Sequence, residues 1–235
     1  MIEVRGLSKV FGARKAVDNV SFSLPPDSFL SVFGPNGAGK TTLLHMLATL
    51  TRPSAGRIVV GGVDAKGDPN RVRALVGVIS HQSMLYPDLT AEENLIFYGK
   101  LYGVDDPRKR ARELLDAVAL SHRRLDPVSA LSRGMIQRVS IARALVHDPA
   151  VVLLDEPYTG LDSHGTETLD QLIANMRDRH SFVMVTHDLT KGFRMATHVL
   201  VMNQGKEVLF DTADEVGFER LSLIYRDIAG RGMVG

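Results

Sequence analysis

Among the 235 residues there is no cysteine and no tryptophan. Without cysteine the chain forms no disulfide and has no thiol nucleophile, and the composition fits a reducing compartment. Neither sign of charge dominates: 28 Lys and Arg stand against 27 Asp and Glu, a formal net charge of +1. That balance gives no field able to gather nucleic acid or an anionic bilayer non-specifically. No apolar run approaches the roughly 18 residues of a membrane span. The opening stretch Met1-Ile2-Glu3-Val4-Arg5-Gly6 lacks the basic-then-apolar layout of a signal peptide. Gly (21) and Pro (10) are near average usage, so collagen-like and low-complexity classes are excluded. No block repeats at a fixed period and no linker divides the chain. These absences predict a soluble, cytosolic, globular protein.

Length and pattern then say what kind. At about 150 residues per domain the chain amounts to roughly 1.6 domains, one large unit or one with a sub-domain. Hydrophobic residues make up 44%, enough for an ordinary core at this size. Val20, Phe22 and Leu24 alternate at period two before the turn Pro25-Pro26-Asp27, and Phe29 to Phe33 is a short apolar run of buried-strand type. Lys40 to Leu50 has helical spacing, with Pro53 beyond it. Residues 58–60 and 75–79 read as strands. The middle changes character: Thr90-Ala91-Glu92-Glu93 is a capping-box pattern opening a helix through about Tyr102. Asp106-Pro107 starts another, to about Leu120, and a third spans about Ser132 to Val146. Strand character returns at 151–154 and 182–185, around a helical stripe of Leu169, Leu172, Ile173 and Met176. Residues 199–202 and 208–210 flank Asn203-Gln204-Gly205-Lys206 as a hairpin. The last 20 residues read as a weak helix before a fraying Gly-rich end. The expected fold is α/β with a largely parallel central sheet. A core of about residues 1–82 and 147–215 is interrupted by a helical insert, about 83–146, and followed by a tail, 216–235.

Gly34-Pro35-Asn36-Gly37-Ala38-Gly39-Lys40-Thr41 fits G-x-x-x-x-G-K-[ST] at every fixed position, between a strand and a helix, with Thr42 following. Glycines let the backbone wrap a polyphosphate with N–H groups pointing inward, and the helix start adds its positive dipole end. Lys40 is expected to reach the β- and γ-phosphates and the Thr41 hydroxyl to ligate Mg²⁺. A carboxylate is then needed at the end of a neighbouring buried strand, and Leu153-Leu154-Asp155-Glu156 supplies two. Asp155 suits the Mg²⁺ shell and Glu156 the task of orienting or deprotonating the attacking water. The chain is expected to bind and hydrolyse a nucleoside triphosphate with Mg²⁺.

With these motifs, residues 1–215 resemble the ATP-binding-cassette (ABC) ATPases, with the three-layer core of phosphate-loop NTPases. Leu131-Ser132-Arg133-Gly134-Met135 is similar to the family signature L-S-G-G-Q, Gln82 to its glutamine loop, Thr159-Gly160-Leu161-Asp162 to its D-loop and Val185-Thr186-His187-Asp188 to its switch-histidine loop. The resemblance implies an antiparallel N-terminal β portion and Phe11 stacking on adenine. It implies Gln82 contacting Mg²⁺ and His187 contacting the γ-phosphate and the water. Ser132 and Gly134, at a helix start, are implied to face the ATP of a second protomer, so that two ATPs lie within a head-to-tail dimer. Two signature positions depart from the pattern, Arg133 for glycine and Met135 for glutamine; the added charge of Arg133 is expected to offset part of the loss. The basic run Arg108-Lys109-Arg110-Ala111-Arg112 reads as a solvated helix face.

The family resemblance implies the energy-coupling subunit of a membrane transporter, peripheral on the cytoplasmic face through a transmembrane permease partner. Gln82 to about Tyr98 is the expected coupling region, offering Leu85, Tyr86, Leu89, Leu95, Phe97 and Tyr98 to a docking groove. The competing reading is a soluble cassette ATPase acting on nucleic acid or ribosomes; the +1 charge, single cassette and lack of a linker arm argue against it. Ser132 to Arg138 and Glu156 to Asp162 look like a subset of haem-export ATPases of cytochrome c biogenesis. Multidrug, polysaccharide and lipid-type exporters remain alternatives.

Overall fold

A computed structural model describes residues 2–80 and 82–231, without the side chains of 230 and 231. In chain order it comprises β1 (Ile2–Phe11), β2 (Arg14–Leu24), β3 (Phe29–Phe33), α1 (Lys40–Leu47), β4 (Ala55–Val60), β5 (Val63–Asp64), α2 (Pro69–Leu75) and β6 (Val76–Ile79). Three helices follow, α3 (Ala91–Leu101), α4 (Pro107–Ala117) and α5 (Arg133–Ala144). Then come β7 (Val151–Asp155), α6 (Ser163–Met176), β8 (Ser181–Val185), α7 (Leu189–Met195), β9 (His198–Asn203), β10 (Lys206–Thr212), α8 (Ala213–Val216) and α9 (Phe218–Arg231).

The expected α/β architecture is present, in two sheets. The first has four strands in the order β2-β1-β4-β5, paired antiparallel. The second has six, β10-β9-β3-β8-β7-β6, and from β9 to β6 every pairing is parallel. Only β10 runs against its neighbour, because the tight turn at Gln204-Gly205 returns the chain directly. Strands β3, β7 and β8 are buried at every position, as expected of parallel strands covered on both faces.

One apolar cluster joins the first sheet to α1 and one side of the second; a second joins α3, α4 and α5 to β7, β8 and α6. The helical stretch therefore shares a continuous core with the sheet. Its helices start where the sequence puts caps. Thr90 and Glu93 make both bonds of the capping box, and Asp106 accepts from Lys109 N. Ser132 accepts from Met135 N.

Several expected boundaries are corrected. The helix from Lys40 ends at Leu47 rather than Leu50, because Thr49 takes a left-handed φ of 58°. The helix from Pro107 ends at Ala117 rather than Leu120, with Ala119 at φ 56°. Leu75 closes α2, a helix without a sequence expectation, so β6 starts at Val76. The helices expected to reach Tyr102 and Val146 stop at Leu101 and Ala144. The tail helix α9 is a full 14 residues, anchored by Leu221 and Ile228 on Val199 and Val201. The expected fraying end, from residue 232 on, lies outside the described residues.

Candidate ATP site

The glycine-rich loop leaves β3 in the middle of the parallel sheet and enters α1. Its glycines are demanded by neighbours as well as by conformation. A Cβ on Gly34 would stand 2.2 Å from Met202 O, and one on Gly39, at φ 102°, would stand 2.2 Å from Ala16 O. The loop is thus clamped between β9 and β2. Gly205 N donates to Ala38 O at 3.0 Å, adding the β9–β10 turn to the clamp. The first N–H groups of α1 have no acceptor in their own helix and face an anion site.

This loop floors a cleft of about 550 Å³. Of the expected residues, Phe11, Asn36, Gly37, Ala38, Gly39, Lys40, Thr41, Thr42 and Glu156 line it. Phe11 is 52% exposed, with Lys9 Nζ 4.8 Å from its ring centre, so the ring is available for stacking. Lys40 is buried, and its ammonium donates to Gly34 O at 2.7 Å and Pro35 O at 3.0 Å. Burial lowers its pKa, while the nearby Glu156 and Asp155 carboxylates push it back up.

The two acids stand at the C-terminal end of β7, where α/β sheets place their ligands. Thr41 Oγ1 donates to Asp155 Oδ1 at 3.3 Å, which joins the hydroxyl and carboxylate expected around Mg²⁺. Both are hard oxygen donors, the set Mg²⁺ prefers alongside substrate phosphates. Glu156 has φ 49°, in the left-handed region that non-glycine residues seldom enter. Its N–H donates to Val185 O at 3.0 Å, locking the strand end to β8. Because Asp155 and Val185 are paired in register, the loops after β7 and β8 emerge side by side. His187 Nδ1–H accordingly donates to Glu156 Oε2 at 2.8 Å, and the imidazole remains 73% exposed. A carboxylate at the cleft wall with an oriented, accessible imidazole is a general-base arrangement.

Other expected residues stand apart. Gln82 is exposed and follows β6; its backbone carbonyl accepts from Ser80 Oγ. Ser132 and Gly134 begin α5, and none of these three lines the cleft. Arg133 lies against the D-loop: its Nε is 3.1 Å from the position a Cβ on Gly160 would take.

Sequence reasoning missed Arg14 and Ala16, which also line the cleft, as does Val185 of the switch-histidine motif. It also missed a brace behind it. Tyr158 donates to Asp170 Oδ1 at 2.7 Å, while Lys191 Nζ sits 3.4 Å from the Tyr158 ring centre and 3.2 Å from Asp170 Oδ2. Burial and the Asp170 bond raise the Tyr158 pKa, keeping its hydroxyl a donor. The brace ties the segment after Glu156 to the helix after His187. Tyr158 was legible as part of a motif; its partners, 12 and 33 residues on, carried no spacing signal.

Comparison with known proteins shows the family. The family model described as ABC transporter matches residues 17–159. The chain is 36% identical over 211 residues to the Nod factor export ATP-binding protein I of Ralstonia nicotianae, covering 88% of this chain and 66% of that one. It is 35% identical over 220 residues to the doxorubicin resistance ATP-binding protein DrrA of Mycobacterium tuberculosis, with 92% and 66% covered. It is also 35% identical over 215 residues to the spermidine/putrescine import ATP-binding protein PotA of Lawsonia intracellularis, with 88% and 57% covered. The chain thus spans about two thirds or less of the length of these curated relatives. The dimeric post-hydrolysis structure of the ATP-binding cassette MJ0796, bound to ADP and Pi, superimposes with a TM-score of 0.83 at 28% identity, covering 91% of this chain and 99% of that one. The chain belongs to the ABC transporter family and carries its ATPase cassette.

Proposed function

We propose that this cassette is the energy-coupling subunit of a membrane exporter, working as a dimer with ATP sandwiched between protomers. The observation that carries the hydrolytic part is the Glu156–His187 pair, 2.8 Å apart beside the phosphate loop. Glu156 accepts the proton of the attacking water, and His187, oriented by that carboxylate, stands beside the γ-phosphate. Lys40 and the N–H groups of the loop hold the β- and γ-phosphates, and Phe11 stacks on the base. Thr41 and Asp155 would hold Mg²⁺, with Gln82 as a further oxygen ligand from the loop after β6; when bound, the ion would neutralise charge on the phosphates.

Ser132 and Gly134 serve the second protomer's ATP. Their helix start is open to solvent, and the dimeric state of MJ0796 supports this reading. A transmembrane permease supplies the spanning helices; no helix among the described residues is long and apolar enough to cross a membrane. It docks beside the insert, which leaves the cassette peripheral on the cytoplasmic face. Of the coupling candidates, Leu95 is fully buried, whereas Tyr86 and Phe97 are 47% and 41% exposed and packed edge to face. Met84 and Leu50 extend this surface across a groove with Tyr102, Arg143 and His147.

Export is favoured by the Nod factor export relative, and the doxorubicin resistance relative supports a drug-like cargo as the substrate class. Haem export rests on motif similarity alone. Nucleic acid is not a proposed partner: in the basic run, Arg112 pairs with buried Glu92 at 2.7 Å, and Arg110 caps the carbonyls of Leu145 and Val146.

Glu156→Gln tests the assignment. It should lower ATP turnover by about 10²-fold or more while an ATP-bound dimer accumulates on gel filtration. Retained turnover would refute the role of Glu156, and a monomer at saturating MgATP would refute the sandwich.

A further inference from the structure

The cleft contains a cation that neither the phosphate-loop motif nor the family resemblance accounts for. Phe11 and Arg14 are cross-strand partners at the β1–β2 turn, and both line the cleft. Directly opposed residues in an antiparallel pair project from the same face. The hairpin that presents the ring therefore presents a guanidinium with it. Arg14 Nη2 donates to Gly37 O at 3.3 Å, in the middle of the phosphate loop. That bond takes one of the five N–H donors of a guanidinium. No carboxylate among the described residues pairs with Arg14, and its side chain is exposed.

The charge balance of the cleft gives this position its meaning. Lys40 is buried and faces two carboxylates, Glu156 and Asp155, that oppose its charge. Arg14 faces none. A polyphosphate lying along the loop thus meets its uncompensated positive charge at Arg14, and a guanidinium suits phosphate oxygens through paired, charge-assisted bonds.

We propose that Arg14 is a nucleotide-binding residue that contacts the polyphosphate chain from the hairpin side, opposite Lys40. This rests on the reading of the cleft as the ATP site. Equilibrium binding of MgATP to the full chain tests it, at low and at raised salt, for the wild type, Arg14→Gln and Arg14→Lys. Arg14→Gln should weaken binding about tenfold at low salt, equivalent to about 1.4 kcal/mol. Arg14→Lys should recover part of that loss. The wild type should lose more affinity with salt than Arg14→Gln, because the variant has one charge fewer to screen. Wild-type affinity in Arg14→Gln would overturn the proposal. So would an equal loss in both variants with unchanged salt dependence, which would make Arg14 a packing residue of the hairpin. Absence of MgATP binding in the wild type would instead remove the reading of the cleft itself.

Discussion

Two helix starts in this chain, those of α1 and α5, carry backbone N–H groups without an acceptor in their own helix, and they differ in what surrounds them. At α1 the loop is clamped by Met202 O and Ala16 O, and the lysine is buried and tied to two carbonyls. At α5, Ser132 and Arg133 are exposed, and a Cβ added to Gly134 would meet only Gly160 O, at 3.8 Å. Both have the positive dipole end that favours anions. The first is finished within one chain. At the second, neither Ser132 nor Gly134 lines the cleft that α1 floors, and on the reading proposed above its phosphate comes with a second protomer. A phosphate site within one chain needs enclosure as well as a helix end.

Substitutions at the two starts should break the molecule differently. The largest effect is expected for Gly134→Glu. A side chain fits there without a clash, but its carboxylate repels a triphosphate brought by a second protomer. Turnover should fall about 10²-fold while MgATP affinity of the monomer stays near wild type; a parallel loss of both would place α5 in the chain's own cleft. Gly34→Ala should act in the opposite sense. Its methyl group must displace Met202 O, costing about 1–3 kcal/mol of stability by overpacking, and nucleotide binding should be lost with it. A variant as stable as wild type in urea would show that the clamp yields.

A smaller change is expected at Arg133, which lies beside Gly160 of the D-loop. Arg133→Gly should raise the ATP concentration for half-maximal hydrolysis about threefold, within the range of an exposed charge contact; an unchanged value would show that this guanidinium does nothing for the second start. A last effect concerns the segment just beyond α5 and shows only as pH falls. His147, just beyond α5, stacks on Tyr102 with ring centres 3.9 Å apart, and its Nε2 lies 3.2 Å from Val76 O. Burial lowers its pKa to about 4. An unfolded histidine titrates near 6.5, so between that pH and about 4 the unfolded chain takes up a proton that the fold refuses. Its contribution to stability is complete above pH 6.5 and declines as pH falls. His147→Phe, which retains a ring against Tyr102, should flatten the stability profile between pH 7 and 5; an identical slope would locate the titration elsewhere.

Much of this was legible because it is local. The phosphate loop, the buried runs of β3, β7 and β8, the capping box of α3 and the acidic end of β7 each occupy a few adjacent residues whose chemistry and period specify them. Helix ends were less legible, since Thr49 and Ala119 carry no glycine-like signal for the left-handed turns they adopt. Helix α2, a short segment led by Asp68 and Pro69 with Val72 as its buried residue, has too few apolar positions to show a period.

By itself the sequence determined that this chain has an α/β fold, a phosphate loop and a pair of strand-end acids, and it suggested the rest of the ATP machinery through motifs. The tertiary structure decided which of those residues meet. Parallel pairing of β7 with β8 brings Glu156 to His187, the β1–β2 hairpin brings Arg14 to Gly37, and Ser132 and Gly134 are left outside the cleft. The reason is physical: caps and turns arise from neighbouring residues, whereas a site joins residues more than a hundred positions apart, as Thr41 and Asp155 are, and only sheet register brings them within bonding distance.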